Sequence, residues 1–114
     1  MKKEVLVSVV MSVYNTKPLY IKEAIESILN QTYEEFEFII INDASTNAEC
    51  KSAILQFEDK RIKYYENEEN LGLTKSLNKA IELSKGEYIV RMDSDDLSVR
   101  DRHETLVDFM ENHK

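Results

Sequence analysis

Strand-like apolar runs and helix-periodic stripes take turns along this chain. The alternation predicts an α/β fold, with a mostly parallel sheet and helices on both of its faces. Three observations carry that class. Val5 to Val13 is a continuous, β-branched run of the kind covered on both faces. Ile21, Ala24, Ile25, Ile28 and Leu29 form one helical stripe. The same two patterns then recur in order, giving βαβαβαβα with no internal repeat, low-complexity tract or linker. A length of 114 residues suits one domain, residues 1–114, and 42% hydrophobic residues suffice for a core.

The elements follow in chain order. After the first strand, a helix runs from Tyr20 to Gln31, with Pro18 in the preceding loop or the first turn. Phe36 to Ile41 is a second buried strand. Thr46 and Glu49 have the spacing of a capping box, opening a helix through Phe57 with Ala53, Ile54 and Phe57 inward. Ile62 and Tyr64 alternate with Lys63 and Tyr65, as on a half-exposed edge strand. Leu73, Leu77, Ala80, Ile81 and Ser84 stripe a third helix, for which Gly86 is the expected stop. Glu87 to Met92 is a fourth strand. Ser98 can cap a last helix with Val99, His103, Leu106, Val107 and Met110 inward.

Composition excludes several classes of function. The 22 acidic and 15 basic residues leave a net charge of −7, which argues against nucleic acid as a partner. Cys50 is the one cysteine, so neither a disulfide framework nor a cysteine-based zinc cluster is available. Gly72 and Gly86 cannot make a Walker loop or a GxGxxG loop, so a phosphorylated ligand would need its charge neutralised otherwise. Lys2 and Lys3 before an apolar run loosely mimic a signal peptide. Glu4, the β-branched composition and the lack of a small-residue cleavage site favour a buried strand and a cytoplasmic protein.

Ligands of parallel sheets sit beyond the carboxyl ends of the strands. Two acidic candidates stand there. In Asp93-Ser94-Asp95-Asp96, alternation along extended chain brings Asp93 and Asp95 to one side. Carboxylates about 4 Å apart repel by about 4 kcal/mol at an effective dielectric of 20, a penalty that a divalent cation removes. Acidity at the start of a helix accounts for the same cluster equally well. An EF-hand does not, because its fifth and sixth loop positions are Leu97 and Ser98. A phosphate-accepting receiver domain would want acidic residues where Tyr14-Asn15-Thr16 stands. The other candidate, Asp43, can accept hydrogen bonds from a nucleobase or ribose, or simply shape its turn. His103 on an apolar stripe reads as a packed side chain and Cys50 as a core or surface thiol.

An ordered series of motifs resembles the amino-terminal half of a glycosyltransferase family 2 enzyme. It comprises Val7-Ser-Val-Val-Met-Ser-Val-Tyr14-Asn15, Ser27-Ile-Leu-Asn-Gln31-Thr32-Tyr33, Ile41-Asn-Asp43-Ala-Ser45-Thr46, Asn70-Leu-Gly72 with Asn78, Gly86-Glu-Tyr-Ile89 and Asp93-Ser-Asp95-Asp96. The resemblance implies a GT-A fold, Rossmann-like in its nucleotide-binding portion. It also implies transfer of a sugar, with inversion, from a nucleotide-diphosphate donor to a glycan, lipid or protein acceptor, as in polysaccharide biosynthesis. Carried over by position, Tyr14 and Asp43 contact the base, Asp43 accepting from a uracil-like imide N–H. Lys75 lies near the nucleotide, Asp93 near ribose and metal, and Asp95 ligates Mn2+ or Mg2+ directly.

Two departures from the family pattern stand out. Asn42 and Ala44 flank Asp43 where an acid and a glycine are usual. Domains of the family are also usually longer than 114 residues, which places the catalytic base and most of the acceptor site beyond Lys114. A chain cut there would bare a sheet edge, making a homodimer an expected form. The full-length protein is then expected at the inner face of the membrane. The alternative class is a noncatalytic nucleotide-binding or interaction module.

Overall fold

A computed structural model of the chain describes residues 6–93. Within them lie β1 (Val7–Val13), α1 (Pro18–Leu29), β2 (Phe36–Asn42), α2 (Ala48–Leu55), β3 (Ile62–Glu66), α3 (Leu73–Leu83) and β4 (Tyr88–Arg91). The helix expected from Ser98, and Val5 at the start of the first strand, fall outside the described residues. The four strands make one sheet in the order β3-β2-β1-β4, and every ladder is parallel. The α/β class and the helices on both faces are therefore as the sequence predicts.

Topology follows from chain direction. β1 to β2 to β3 advances one way, and β4 then joins the other side of β1. Right-handed crossovers running in opposite directions put their helices on opposite faces. Accordingly Val7, Val9, Met11, Val13, Phe38 and Ile40 pack under α1 and α2, against Ile21, Ile25, Ile28, Cys50 and Ile54. Val10, Ile39 and Ile41 pack under α3, against Leu77 and Ala80. Every residue of β1 and β2 is buried, the reason both read as mostly apolar runs, while the polar Ser8 and Glu37 among them bond to each other. β3 is an edge, with Ile62 and Tyr64 half-buried and Lys63 and Tyr65 exposed.

Several boundaries differ from expectation, each for a local reason. Pro18 occupies the first turn of α1, where its missing N–H costs nothing. The helix ends at Leu29, and the Gln31 side chain donates to the Ser27 carbonyl at 3.0 Å. Asn47 caps α2, not Thr46: the Asn47 carboxamide accepts from the Glu49 N–H at 3.0 Å. Thr46 is engaged elsewhere, donating from N and Oγ1 to Asn15 Oδ1. On α3, Leu73 and Ile81 are 50% and 43% exposed rather than inward, and Ser76 is buried in their stead.

Gly86 is not the stop of α3. Ser84 leaves the helix in extended conformation, with Oγ donating to the Ala80 carbonyl at 2.8 Å. Gly86 is needed instead for close approach, because a Cβ there would lie 2.7 Å from Ser8 N and 2.8 Å from Leu6 O. No helix among the described residues is long and apolar enough to cross a membrane.

Candidate functional site

Three loops meet at the carboxyl ends of the strands, and side chains hold them together. Asn15, at φ 51°, adopts the left-handed conformation that asparagine tolerates. Its N–H donates to Ser45 Oγ at 3.0 Å, and its Oδ1 accepts from Thr46 N at 2.9 Å and Asn47 N at 3.1 Å. The β1–α1 loop is thereby latched to the β2–α2 loop.

Asp43 makes the second latch. Its N–H donates to the Val13 carbonyl at 2.8 Å, extending the β1–β2 pairing by one bond, and the residue is 1% exposed. Oδ1 accepts from Asn67 Nδ2 and Leu71 N, both at 2.8 Å. Oδ2 accepts from Gly72 N at 2.9 Å and Asn70 Nδ2 at 3.1 Å. Burial pushes the carboxyl upward. Hydrogen bonds from Leu71, Asn67, Gly72 and Ser76 outweigh it and hold the group below the usual carboxylate range. Asn67 is itself fixed, donating to Ser76 Oγ at 3.0 Å and accepting from Lys79 Nζ at 2.8 Å.

These latches bound an open cleft of about 350 Å³ lined by Ser12, Tyr14, Thr16, Asp43, Asn70, Gly72, Leu73 and Asp93. Small-molecule sites are commonly of this size or larger. Three of the sequence candidates meet here: Tyr14, 50% exposed, Asp43 and Asp93. Lys75 stands exposed in the first turn of α3 and is not among the lining residues. Asp95 lies outside the described residues.

Asp93 Oδ1 pairs with Arg91 Nη2 at 3.2 Å, both side chains about half exposed, so that contact holds it only weakly. Among the described residues, no three His, Cys, Asp or Glu side chains converge on a point. The donor set at Asp93 is a hard carboxylate oxygen, which suits Mn2+ or Mg2+. Ser12, Asn15, Asn67, Asn70 and Gly72 also build the site without having been assigned a part in it. Ser12 and Asn15 lay in the first-strand motif and Asn70 and Gly72 in Asn70-Leu-Gly72, whereas Asn67 had no visible signal.

The two departures beside Asp43 have structural consequences. Asn42 Nδ2 donates to the Tyr64 hydroxyl at 3.1 Å while its Oδ1 accepts from Ser45 N. Tyr64 in turn donates to Glu66 at 2.7 Å. An aspartate at 42 could not donate, so the tyrosine would have two acceptors and one proton. Burial, opposed by the Asn42 bond and reinforced by Glu66, pushes the Tyr64 hydroxyl up to about 12. It therefore stays a proton donor at neutral pH.

Ala44 sits at φ 58°. The left-handed conformation costs a non-glycine residue about 1–2 kcal/mol, against about 0.4–1 kcal/mol for glycine's extra freedom in the unfolded chain. Ala44→Gly is thus expected to stabilise the fold by up to about 1 kcal/mol. Urea denaturation checks this; a lower midpoint would mean that Ala44 is not strained.

A parallel sheet with a cleft at the carboxyl ends of its strands defines a doubly wound α/β class, whose ligands sit at the switch point of strand order. The family model for glycosyl transferase family 2 matches residues 8–114, and the chain belongs to that family. An uncharacterized glycosyltransferase of Methanocaldococcus jannaschii is 44% identical over 111 residues, 96% of this chain and 38% of that protein. Glycosyltransferase GlyG of Streptococcus pneumoniae is 38% identical over 104 residues, 89% of this chain and 34% of that one. The chain thus spans little more than a third of the length of these relatives.

Among solved structures, S. aureus TarS in complex with UDP-GlcNAc superposes with a TM-score of 0.86 at 28% identity, covering 94% of this chain and 31% of that one. Mannosyltransferase PcManGT from Pyrobaculum calidifontis, in complex with GDP-Man and Mn2+, gives 0.80 at 29% identity, covering 89% and 31%. The fold is that of the GT-A glycosyltransferases.

Proposed function

We propose that this chain is the donor-binding part of an inverting, metal-dependent glycosyltransferase that takes a UDP-linked sugar to a glycan, lipid or protein acceptor. One observation carries the reading: Tyr14, Asp43 and Asp93, from three different strand ends, line a single cleft. It is supported by similarity to TarS, solved with UDP-GlcNAc, and to a mannosyltransferase solved with GDP-Man and Mn2+.

In this reading the exposed Tyr14 ring offers a face for the base, and Asp43 is the acceptor for its imide N–H. Asp93, with Asp95, would hold Mn2+ or Mg2+, which when bound supplies charge neutralisation for the diphosphate. Lys75, exposed at the start of α3, would add a positive charge near the nucleotide. The acceptor hydroxyl attacks the anomeric carbon in line with the departing diphosphate, giving its proton to a general base. No residue within 6–93 is assigned that role.

Calorimetry of UDP binding to the full chain, with manganese and with chelator, tests the reading. Affinity is expected to be higher with manganese, and Asp95→Asn to remove only the manganese-dependent part. Equal affinity in both conditions would refute the metal role. GDP or dTDP binding more tightly than UDP would refute the base assignment and leave the family untouched.

A further inference from the structure

Every acceptor direction of the Asp43 carboxylate is in use. A carboxylate offers about four lone-pair sites, and here Asn67 Nδ2, Leu71 N, Gly72 N and Asn70 Nδ2 donate to them, with the fully buried Ser76 hydroxyl, itself tied to Asn67, adding to the hold on the charge. A base that donates to Asp43 must therefore displace one of the four.

They are not equally replaceable. Leu71 N and Gly72 N are backbone groups at the start of α3, where Gly72, at φ 92°, sets the chain direction. Asn67 is 7% exposed and tied to Ser76 and Lys79. Asn70 differs on both counts. Its side chain lines the cleft, and its bonds to Asp43 are the longest of the set, 3.1 Å to Oδ2 and 3.3 Å to the main-chain oxygen.

We infer that Asn70 is a specificity-determining residue, its carboxamide N–H holding the position on Asp43 Oδ2 that a ring N–H of the bound base takes over. The inference rests on the proposed base-reading role of Asp43. It makes selection a matter of exchange. A uracil imide N–H replaces one N–H···O bond with another, so nothing is left unpaired. Cytosine presents a ring nitrogen lone pair at the equivalent position. It returns no donor from that nitrogen, so CDP leaves Asn70 in place on the carboxylate and gains nothing from Asp43.

The test is calorimetry of UDP and CDP on the full chain and on Asn70→Ala and Asn70→Leu, the leucine keeping the side-chain volume. With the competitor gone, UDP is expected to bind about two- to tenfold more tightly to both variants, the worth of one modest hydrogen bond. CDP affinity is expected to be unchanged. Unchanged or weaker UDP binding in both variants would overturn the exchange. Equal affinity of the unsubstituted protein for UDP and CDP would overturn the base-reading role beneath it instead. NMR of the unsubstituted protein provides a readout independent of mutation. The Asn70 side-chain amide signals are expected to shift when UDP is added and to stay in place with CDP. Signals that stay in place with UDP would also overturn the proposal.

Discussion

Asp43→Ala is expected to lower the stability of the fold by about 3–5 kcal/mol, a loss at the upper end for single substitutions. The substitution removes one side chain and strands the N–H groups of Asn67, Leu71 and Gly72, each worth about 1–3 kcal/mol when buried without a partner. Relaxation of the 67–72 segment toward water keeps the total below the sum. Asp43→Asn, which keeps one acceptor oxygen, is expected to cost less.

A pH dependence accompanies the effect. The folded-state pKa of Asp43 is depressed. Its contribution is therefore fully present above the ordinary value of 3.8 and lost as pH falls through the lower folded value. Denaturation midpoints recorded from neutral pH down past that range should fall less steeply in Asp43→Ala. If the alanine variant stays within about 1 kcal/mol of the parent, the 67–72 segment is held by other contacts. UDP affinity must then be compared on variants of matched stability, since a loosened loop and a lost base contact would otherwise look alike.

Gly86→Ala is expected to cost about 1–3 kcal/mol, the usual penalty for overpacking. The cause is not backbone freedom, since Gly86 has no positive φ. The added methyl would meet Ser8 N and Ser8 Oγ at 2.7 Å and Leu6 O at 2.8 Å, and two of these atoms are backbone. Nor can the Ser8 hydroxyl swing aside without loss. It donates to Glu37 at 2.6 Å and accepts from Gly86 N at 2.8 Å, while Glu37 also accepts from Lys85 N at 2.6 Å. Thermal and urea denaturation should agree on the loss. A cost under about 0.5 kcal/mol would mean that the α3–β4 connection moves away from β1 freely.

The order of elements was legible because burial on both faces writes itself into β1 and β2 as mostly apolar runs, and helix faces write a 3.6-residue period. Ends were less legible, because they depend on partners distant in sequence. Thr46 has the right spacing to cap α2, yet Asn15, 31 residues earlier, claims it. Gly86 stands where a helix stop belongs, but its conformation answers to Ser8, 78 residues away. Leu73 and Ile81 fit an apolar stripe and still face outward.

Of the site, the positions of Tyr14, Asp43 and Asp93 at strand ends were readable, and they do share a cleft. The partners of Asp43 were not, since they come from a loop 24–29 residues on. No periodicity reports which loop folds over which carboxylate.

The two latches also bear on how this chain can vary in length. Asn15 spans the first two loops of the cleft edge and Asp43 the second and third, each through bonds to named atoms of another loop. An inserted or deleted residue there breaks the register of several bonds at once. The turn between α2 and β3 at the opposite end is closed by its own Asp59–Arg61 pair, and the outside ties of its polar residues gather at its last one, Arg61, which stacks on Phe36. Surface loops usually absorb insertions and deletions readily. In this fold that freedom is expected to be polarised: the residues of the turn before Arg61 can absorb a change in residue count, while around the cleft a change in length breaks several bonds at once.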